Sequence, residues 1–302
     1  MRYRLLLLLT VIACTAAAQT RVFKGRVVDE RKNGIPFAVI EAKERHEGVY
    51  TDENGYFAFS GDVAVIRTLA VFCMGFEEQL LHTEALPQDS ITIQLRSKAT
   101  TLRPVQVRGH TGPSRTGILG KRLRGRAKDG DLYRKFGAET AIRLTADTGQ
   151  YYATLKNVNV YITGDGVPTS YFRVHVYEGN DSLPGREITD SNVVVRARKG
   201  NSWVRVDLSS KAIPVDRGLF VSVEWISGHG NTESALTSEQ HAEVVGFNGQ
   251  VVGITADYGK PSCTYSRAPF STDWQYYDAP EAQRKGGYFL NPMIYCTYSY
   301  VK

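Results

Sequence analysis

The sequence predicts an all-β protein made of two consecutive β-sandwiches, a smaller one followed by a larger one. Three observations carry this. Short stretches of alternating apolar and polar residues recur along most of the chain, separated by Gly, Asn, Asp and Pro turns. Aromatic residues are abundant, with Tyr 17 and Phe 12 against Met 3, and aromatics suit a pleated, half-buried surface. At 302 residues, 42% hydrophobic and 23% charged, the chain is long for one sandwich and gives two domains apolar material for a core each.

Residues 1–18 read as an export signal rather than as part of the fold. Arg2 and Arg4 form a short positive region, Leu5 to Ala13 an apolar core, and Ala16-Ala17-Ala18 a small-residue cleavage site ahead of Gln19. The apolar run is too short to span a bilayer, and no later segment approaches the needed length, so no transmembrane segment is expected. A second reading stands beside simple cleavage: Val11-Ile12-Ala13-Cys14 has the form of a lipidation site at Cys14.

The smaller sandwich is expected over residues 20–108. Its strands begin with Val22-Phe23-Lys24-Gly25-Arg26-Val27-Val28, and a tight turn at Asn33-Gly34 leads to Phe37-Ala38-Val39-Ile40-Glu41-Ala42. Asp52-Glu53-Asn54-Gly55 makes a second turn, with Asp52 bonding nearby backbone and Gly55 in the left-handed position. Leu69-Ala70-Val71-Phe72-Cys73, Ile91-Thr92-Ile93-Gln94-Leu95 and Leu102-Arg103-Pro104-Val105-Gln106-Val107 complete it. The order of these pieces, from Gly25 to Val107, resembles the carboxypeptidase regulatory-like domain, an Ig-like or transthyretin-like sandwich. Gly75-Phe76 stands where that family usually has Gly-Tyr. The resemblance implies export to the periplasm, outer membrane or surface of a Gram-negative bacterium, and a module without chemistry of its own.

Residues 109–130 are basic and Gly-rich with little periodicity and read as a linker or a long first loop. From residue 131 to 302 about nine further strands argue for a second, larger sandwich of jelly-roll type. In Tyr171-Phe172-Arg173-Val174-His175-Val176-Tyr177, alternation places Phe172, Val174 and Val176 on one face and Arg173, His175 and Tyr177 on the other. Together with Leu183-Pro184-Gly185, Trp203-Val204-Arg205-Val206-Asp207-Leu208 and Leu219-Phe220-Val221-Ser222-Val223-Glu224-Trp225, this half resembles jelly rolls that follow regulatory-like domains in exported bacterial proteins. That implies a binding or structural domain and transfers no catalytic residue.

The net charge of +6 is concentrated in a basic run from Arg103 to Arg143. Export argues against nucleic acid and leaves either a solvated linker or an anionic lipid, lipopolysaccharide or acidic glycan as partner. Cys73 reads as a small core residue; Cys263 and Cys296 are a candidate disulfide in an oxidising compartment.

Reactive constellations are not visible. The six histidines form no His-Glu-x-x-His or other compact metal pair, and Asp52 to Gly55 lacks the closing Glu of an EF-hand, so neither metal nor cofactor is expected. No Gly-x-Ser-x-Gly elbow, phosphate loop or dinucleotide fingerprint occurs. The remaining signal is aromatic. Asp273, Trp274, Tyr276 and Tyr277 lie in an apparent loop and offer stacking faces and polar groups suited to a sugar ring; the plainer alternative is that Trp274 plugs the sandwich end. The reading is therefore a non-enzymatic exported binding or scaffolding module, with glycan or an envelope protein as partner. An edge strand offers one route for such a protein to dock. The alternative is a glycan hydrolase whose carboxylates are dispersed, with Asp207, Glu224, His175 and Asp273 as candidates.

Overall fold

Strand β1, Thr20–Val28, alternates inward Phe23, Gly25 and Val27 with outward polar residues, and two partners flank it. It pairs antiparallel with β4 (Tyr56–Asp62) and parallel with β7 (Ile91–Gln94). A second sheet has the order β3-β2-β5-β6, from β2 (Val39–Ala42), β3 (Glu47–Tyr50), β5 (Thr68–Phe72) and β6 (Gln79–His82). Phe57, Phe59, Ile91 and Ile93 are buried on the first sheet, and Val39, Ile40, Leu69 and Val71 on the second. The computed structural model describes residues 20–98, 113–120, 136–145, 152–179, 182–189, 191–215, 218–226, 250–258, 263–277 and 286–301. The chain divides into two compact units, the smaller up to residue 72 with 77–96 and the larger mainly from residue 97 onward.

Two turns of the small unit show how local chemistry sets its shape. Asp29 accepts backbone N–H bonds from Arg31 and Asn33, both at 2.8 Å, and Lys32 takes the left-handed conformation at φ 68°. The sequence pattern put positive φ at Asn33-Gly34. The structure puts it one residue earlier, and Gly34 is required because a Cβ there would stand 1.9 Å from the Asn54 carbonyl oxygen. Gly55 does take the left-handed position, at φ 84°, and Asp52 accepts the N–H groups of Asn54 and Tyr56.

The larger unit begins with β8 (Ser114–Gly120), β9 (Glu139–Leu144), β10 (Tyr152–Gly166) and β11 (Tyr171–Glu178). It continues with β12 (Val194–Arg196), β13 (Ser202–Asp207), β14 (Leu219–Trp225), β15 (Gln250–Val252) and β16 (Ile254–Tyr258). The last strands are β17 (Thr264–Arg267), β18 (Trp274–Tyr276), β19 (Tyr288–Pro292) and β20 (Ile294–Val301). One sheet has the order β8-β20-β10-β13, with β15 also on β10; the other runs β12-β11-β14-β9-β17-β18. Strands β16 and β19 pair with each other. The first and last strands are neighbours, and much of the chain between them alternates from sheet to sheet, which is jelly-roll topology with β17 and β18 added at one edge. Phe172, Val174, Val176, Val221, Val223 and Trp225 from one sheet share a core with Leu119, Val158, Val160, Ile162, Ile294 and Cys296 from the other. Among the described residues no helix is long and apolar enough to cross a membrane.

Two expectations fall differently. Ser114–Gly120, placed in a linker by its composition, is an edge strand paired along its length with β20. Its glycine is a packing site: a Cβ on Gly117 would lie 2.3 Å from the Tyr298 ring, so the residue that suggests flexibility instead permits close approach. Cys263 and Cys296, the candidate disulfide, are not bridged to each other. The Cys263 thiol donates to Asn291 Oδ1 at 3.2 Å, whereas Cys296 sits in the inter-sheet core, where burial pushes its thiol pKa well up. Residues 1–19, with the signal and Cys14, and the segment Leu102 to Val107 lie outside the described residues.

Leu119→Ala is expected to destabilise the chain by about 2–5 kcal/mol, because Leu119 is an edge-strand residue buried in the shared core. Ile118→Ser, on the exposed side of the same strand, should change stability by no more than about 0.5 kcal/mol. Urea denaturation of both variants checks this, and equal effects would place β8 outside the fold.

Candidate functional site

The face of the six-stranded sheet turned away from the shared core is polar, and register explains its layout. Because side chains alternate along a strand, residues two apart share a face, and paired residues on neighbouring strands stand side by side. Arg173 of β11 pairs with Glu224 of β14, Glu224 with Glu139 of β9, Glu139 with Arg267 of β17, and Arg267 with Trp274 of β18. The next row is His175, Ser222, Ala141, Tyr265 and Tyr276, and a third holds Tyr177, Phe220 and Arg143.

The first row puts two carboxylates directly opposite one another, an arrangement that costs stability unless cations answer it. Here they do. Arg173 Nη1 donates to Glu224 at 2.7 Å, and Arg267 Nη2 donates to Glu139. His175 Nε2 stands between the two carboxylates, 3.0 Å from Glu224 and 3.8 Å from Glu139, while its Nδ1 is 2.7 Å from Glu187. Tyr177 and Ser222 donate their hydroxyls to Glu139 at 2.9 and 2.7 Å. Asn192 accepts from Arg173 Nε at 2.6 Å, and Thr189 donates to Glu187. Glu139 and Glu224 are 1% and 7% exposed, so these charges live in a low-dielectric setting where pairing decides whether they are tolerated.

His175 is the pivot. Burial alone lowers its pKa, but the charge and hydrogen bond of Glu187, and then those of Glu224, outweigh this and raise it from 6.5 to about 9. At neutral pH it is an imidazolium donating from both nitrogens. Three carboxylates, Glu139, Glu187 and Glu224, thus face two guanidiniums and one imidazolium. Burial, followed by the nearby Glu187 and Glu224 charges, holds the Tyr177 hydroxyl pKa well above its usual value, so it remains a donor.

Oxygen and nitrogen atoms of Glu139, His175 and Glu224 all lie within 4.8 Å of one another, a spacing that a divalent cation could use. The donor set does not fit one. A histidine ligand must be neutral with a lone pair turned to the metal, whereas His175 gives both nitrogens to carboxylates and two arginines already supply positive charge.

Of the dispersed candidates considered from sequence, His175 and Glu224 come together, and Asp207 and Asp273 do not. Asp207 lies on the opposite sheet, exposed, accepting the Ser209 N–H at 2.9 Å; hydrogen bonding from Ser209 holds its carboxyl below the usual range. Asp273 is exposed at the sheet edge, bonded to Ser271 and Thr272. Glu139, Glu187, Arg173 and Arg267 complete the cluster and were not singled out by sequence. Their signal was present in Arg173 and Glu224, charged residues flanked on both sides by strand residues that face the core.

The aromatic candidates lie at the same sheet's edge, on a short strand rather than a loop. Trp274 and Tyr276 share the polar face, and Gln275 between them faces the other way. The Trp274 ring packs edge-on to Tyr177 at 5.5 Å, with the Arg267 guanidinium over it at 4.9 Å. Tyr276 is edge-on to Tyr265 at 5.4 Å and remains 45% exposed. Tyr277 follows the strand, half-buried, its N–H bonded to the Thr264 carbonyl.

Residues 23–107 match the family model of the CarboxypepD_reg-like domain, so the smaller sandwich is a carboxypeptidase regulatory-like domain. No curated protein matches the chain. A similar solved structure is that of the cysteine protease and lectin-like domains of Cwp84, a surface layer associated protein of Clostridium difficile. The likeness has 9% identity and a TM-score of 0.32, and it covers 53% of this chain but only 31% of that one.

The His175 pKa sets a pH dependence. Its folded value lies above the unfolded one, so its contribution is complete below about pH 6.5 and is lost as pH rises through about 9. Denaturant unfolding should show stability falling by up to about 3 kcal/mol across that window, and His175→Gln should remove the fall. The same slope in both proteins would contradict the assignment.

Proposed function

We propose that this chain is a non-catalytic, exported binding or scaffolding module of a bacterial envelope, with a glycan as its ligand class. The observation that carries the reading is the division of one sheet face. Its carboxylates are occupied by arginines and an imidazolium, so none stands ready as acid, base or nucleophile. At its edge, in contrast, Tyr276 offers an exposed ring beside Trp274, the arrangement against which the C–H face of a sugar stacks. The N-terminal pattern of Arg2, Arg4, an apolar core and Ala16-Ala17-Ala18 supports export, and a regulatory-like domain suits a module attached to a larger envelope assembly.

One observation favours hydrolysis as a second reading. The Glu139 and Glu224 oxygens lie within 4.8 Å, close to the roughly 5 Å separation of retaining glycosidases. That reading needs the network to open around substrate.

Glycan-array binding of the chain, repeated with Tyr276→Ala, tests the proposal. Retention on at least one glycan class is expected, weakened by about 1–3 kcal/mol in the variant, by analogy with stacking of nucleobases on aromatic rings. Tyr276 is the better probe than Trp274, because truncating the more buried ring risks about 3–5 kcal/mol of stability. No glycan binding would overturn the ligand class. Release of reducing ends that disappears in Glu224→Gln would establish the hydrolase instead.

A further inference from the structure

We propose that Arg143, Tyr265 and Tyr276 form a subsite for a sugar that carries a carboxylate. This rests on the glycan-binding reading and narrows its substrate class. The three residues belong to neighbouring strands of the polar face. Tyr276 pairs with Tyr265, Tyr265 with Ala141, and Arg143 lies two residues further along β9 on the same side. Tyr276 and Arg143 thus stand two strand spacings, about 10 Å, across the sheet and two residues, about 7 Å, along it, a gap that their long side chains and one sugar with its carboxylate bridge together.

The arginines of this face differ in one respect. Arg173 is paired with Glu224 and Arg267 with Glu139, so both guanidiniums are committed to carboxylates within the fold. Arg143 has no carboxylate partner among the described residues. Its guanidinium lies 5.7 Å from the centre of the Phe220 ring and is hydrogen-bonded to the Tyr265 hydroxyl. Its Nε is shielded from solvent with no hydrogen-bond partner. A guanidinium carries five N–H donors in a planar fork that matches a carboxylate in two parallel bonds, and Tyr265 takes only part of that capacity.

The surroundings suit a sugar more than a free anion. Phe220, Tyr265 and Tyr276 stack edge to face in sequence, at 5.0 and 5.4 Å, so the cation is set against a run of aromatic rings of which the first two are buried. Tyr276 is its exposed end, the ring that a sugar can reach. A ring lying on Tyr276 with its carboxylate turned inward would meet Arg143, with Tyr265 between them. A neutral sugar would leave the guanidinium unanswered, which is how such a site separates acidic from neutral ligands.

Calorimetric titration of the chain with tri-galacturonic acid, its methyl ester and a neutral trisaccharide tests this. The acid should bind roughly ten-fold or more tightly than the ester, the expected contribution of one charge-assisted pair. Arg143→Met keeps an apolar stem over Phe220, and it should abolish the difference between acid and ester. Tyr276→Ala should weaken all binding and leave the preference for the acid intact. Equal binding of acid and ester to the unsubstituted chain would overturn the inference and leave glycan binding standing, a result that needs no variant to fold. Equal competition by inorganic polyphosphate would overturn it in favour of a generic anion site. Binding of none of the three sugars would overturn it too, and only a silent glycan array would take the broader reading with it.

Discussion

Two carboxylates of adjacent strands, Glu139 and Glu224, stand directly opposite each other on a buried face, and the surrounding structure is organised around making that tolerable. Unanswered, like charges across a strand pair repel, and burial magnifies the cost. The register that creates the conflict also resolves it, since the same row carries Arg173 on one side and Arg267 on the other. His175, one row along, reaches between the carboxylates and is itself held charged by Glu187. Each member is intelligible only with the others present. Removing one leaves an uncompensated buried charge, a loss of about 3–5 kcal/mol, although the whole set adds little beyond what apolar residues of equal volume would supply. A closed network of this kind fixes which strands lie side by side more firmly than it adds stability.

The closed network and the open aromatic edge divide the labour on a single sheet. Arg267 belongs to both, bonded to Glu139 and lying over the Trp274 ring, so the edge strand is anchored to the charged row. Trp274 is accordingly a structural ring more than a platform, and exposure passes to Tyr276, two residues on along the same strand face. Arg143, further along the same sheet face, has no carboxylate partner among the described residues. Substitution at this margin leaves the row that holds the sheet together undisturbed.

Much of the fold was legible in the sequence because strand alternation is local. The split of Phe172, Val174 and Val176 from Arg173, His175 and Tyr177 needed only the period of a strand, and the structure keeps it. The regulatory-like domain was legible because its turns carry their own chemistry at Asp52 and Gly55. The site was not legible, because it depends on which strands become neighbours. Glu139 and Glu224 lie far apart in the chain, and nothing local to either announces the other. Glycine misled for a related reason. Gly117 suggests a linker by composition, and only its partner Tyr298 shows that the missing side chain is what lets the strand in. The strand at Trp274 was hidden by its brevity and by the prolines Pro269 and Pro280 on either side.

This cluster is a self-neutralised structural unit with a charged histidine at its middle. Nuclear magnetic resonance of the His175 ring nitrogens, assigned by comparison with His175→Gln, tests it most directly. Both nitrogens are expected to be protonated at pH 7.5, with titration centred near pH 9. A neutral ring at pH 7.5, with one nitrogen free to accept a proton or a metal ion, would contradict it.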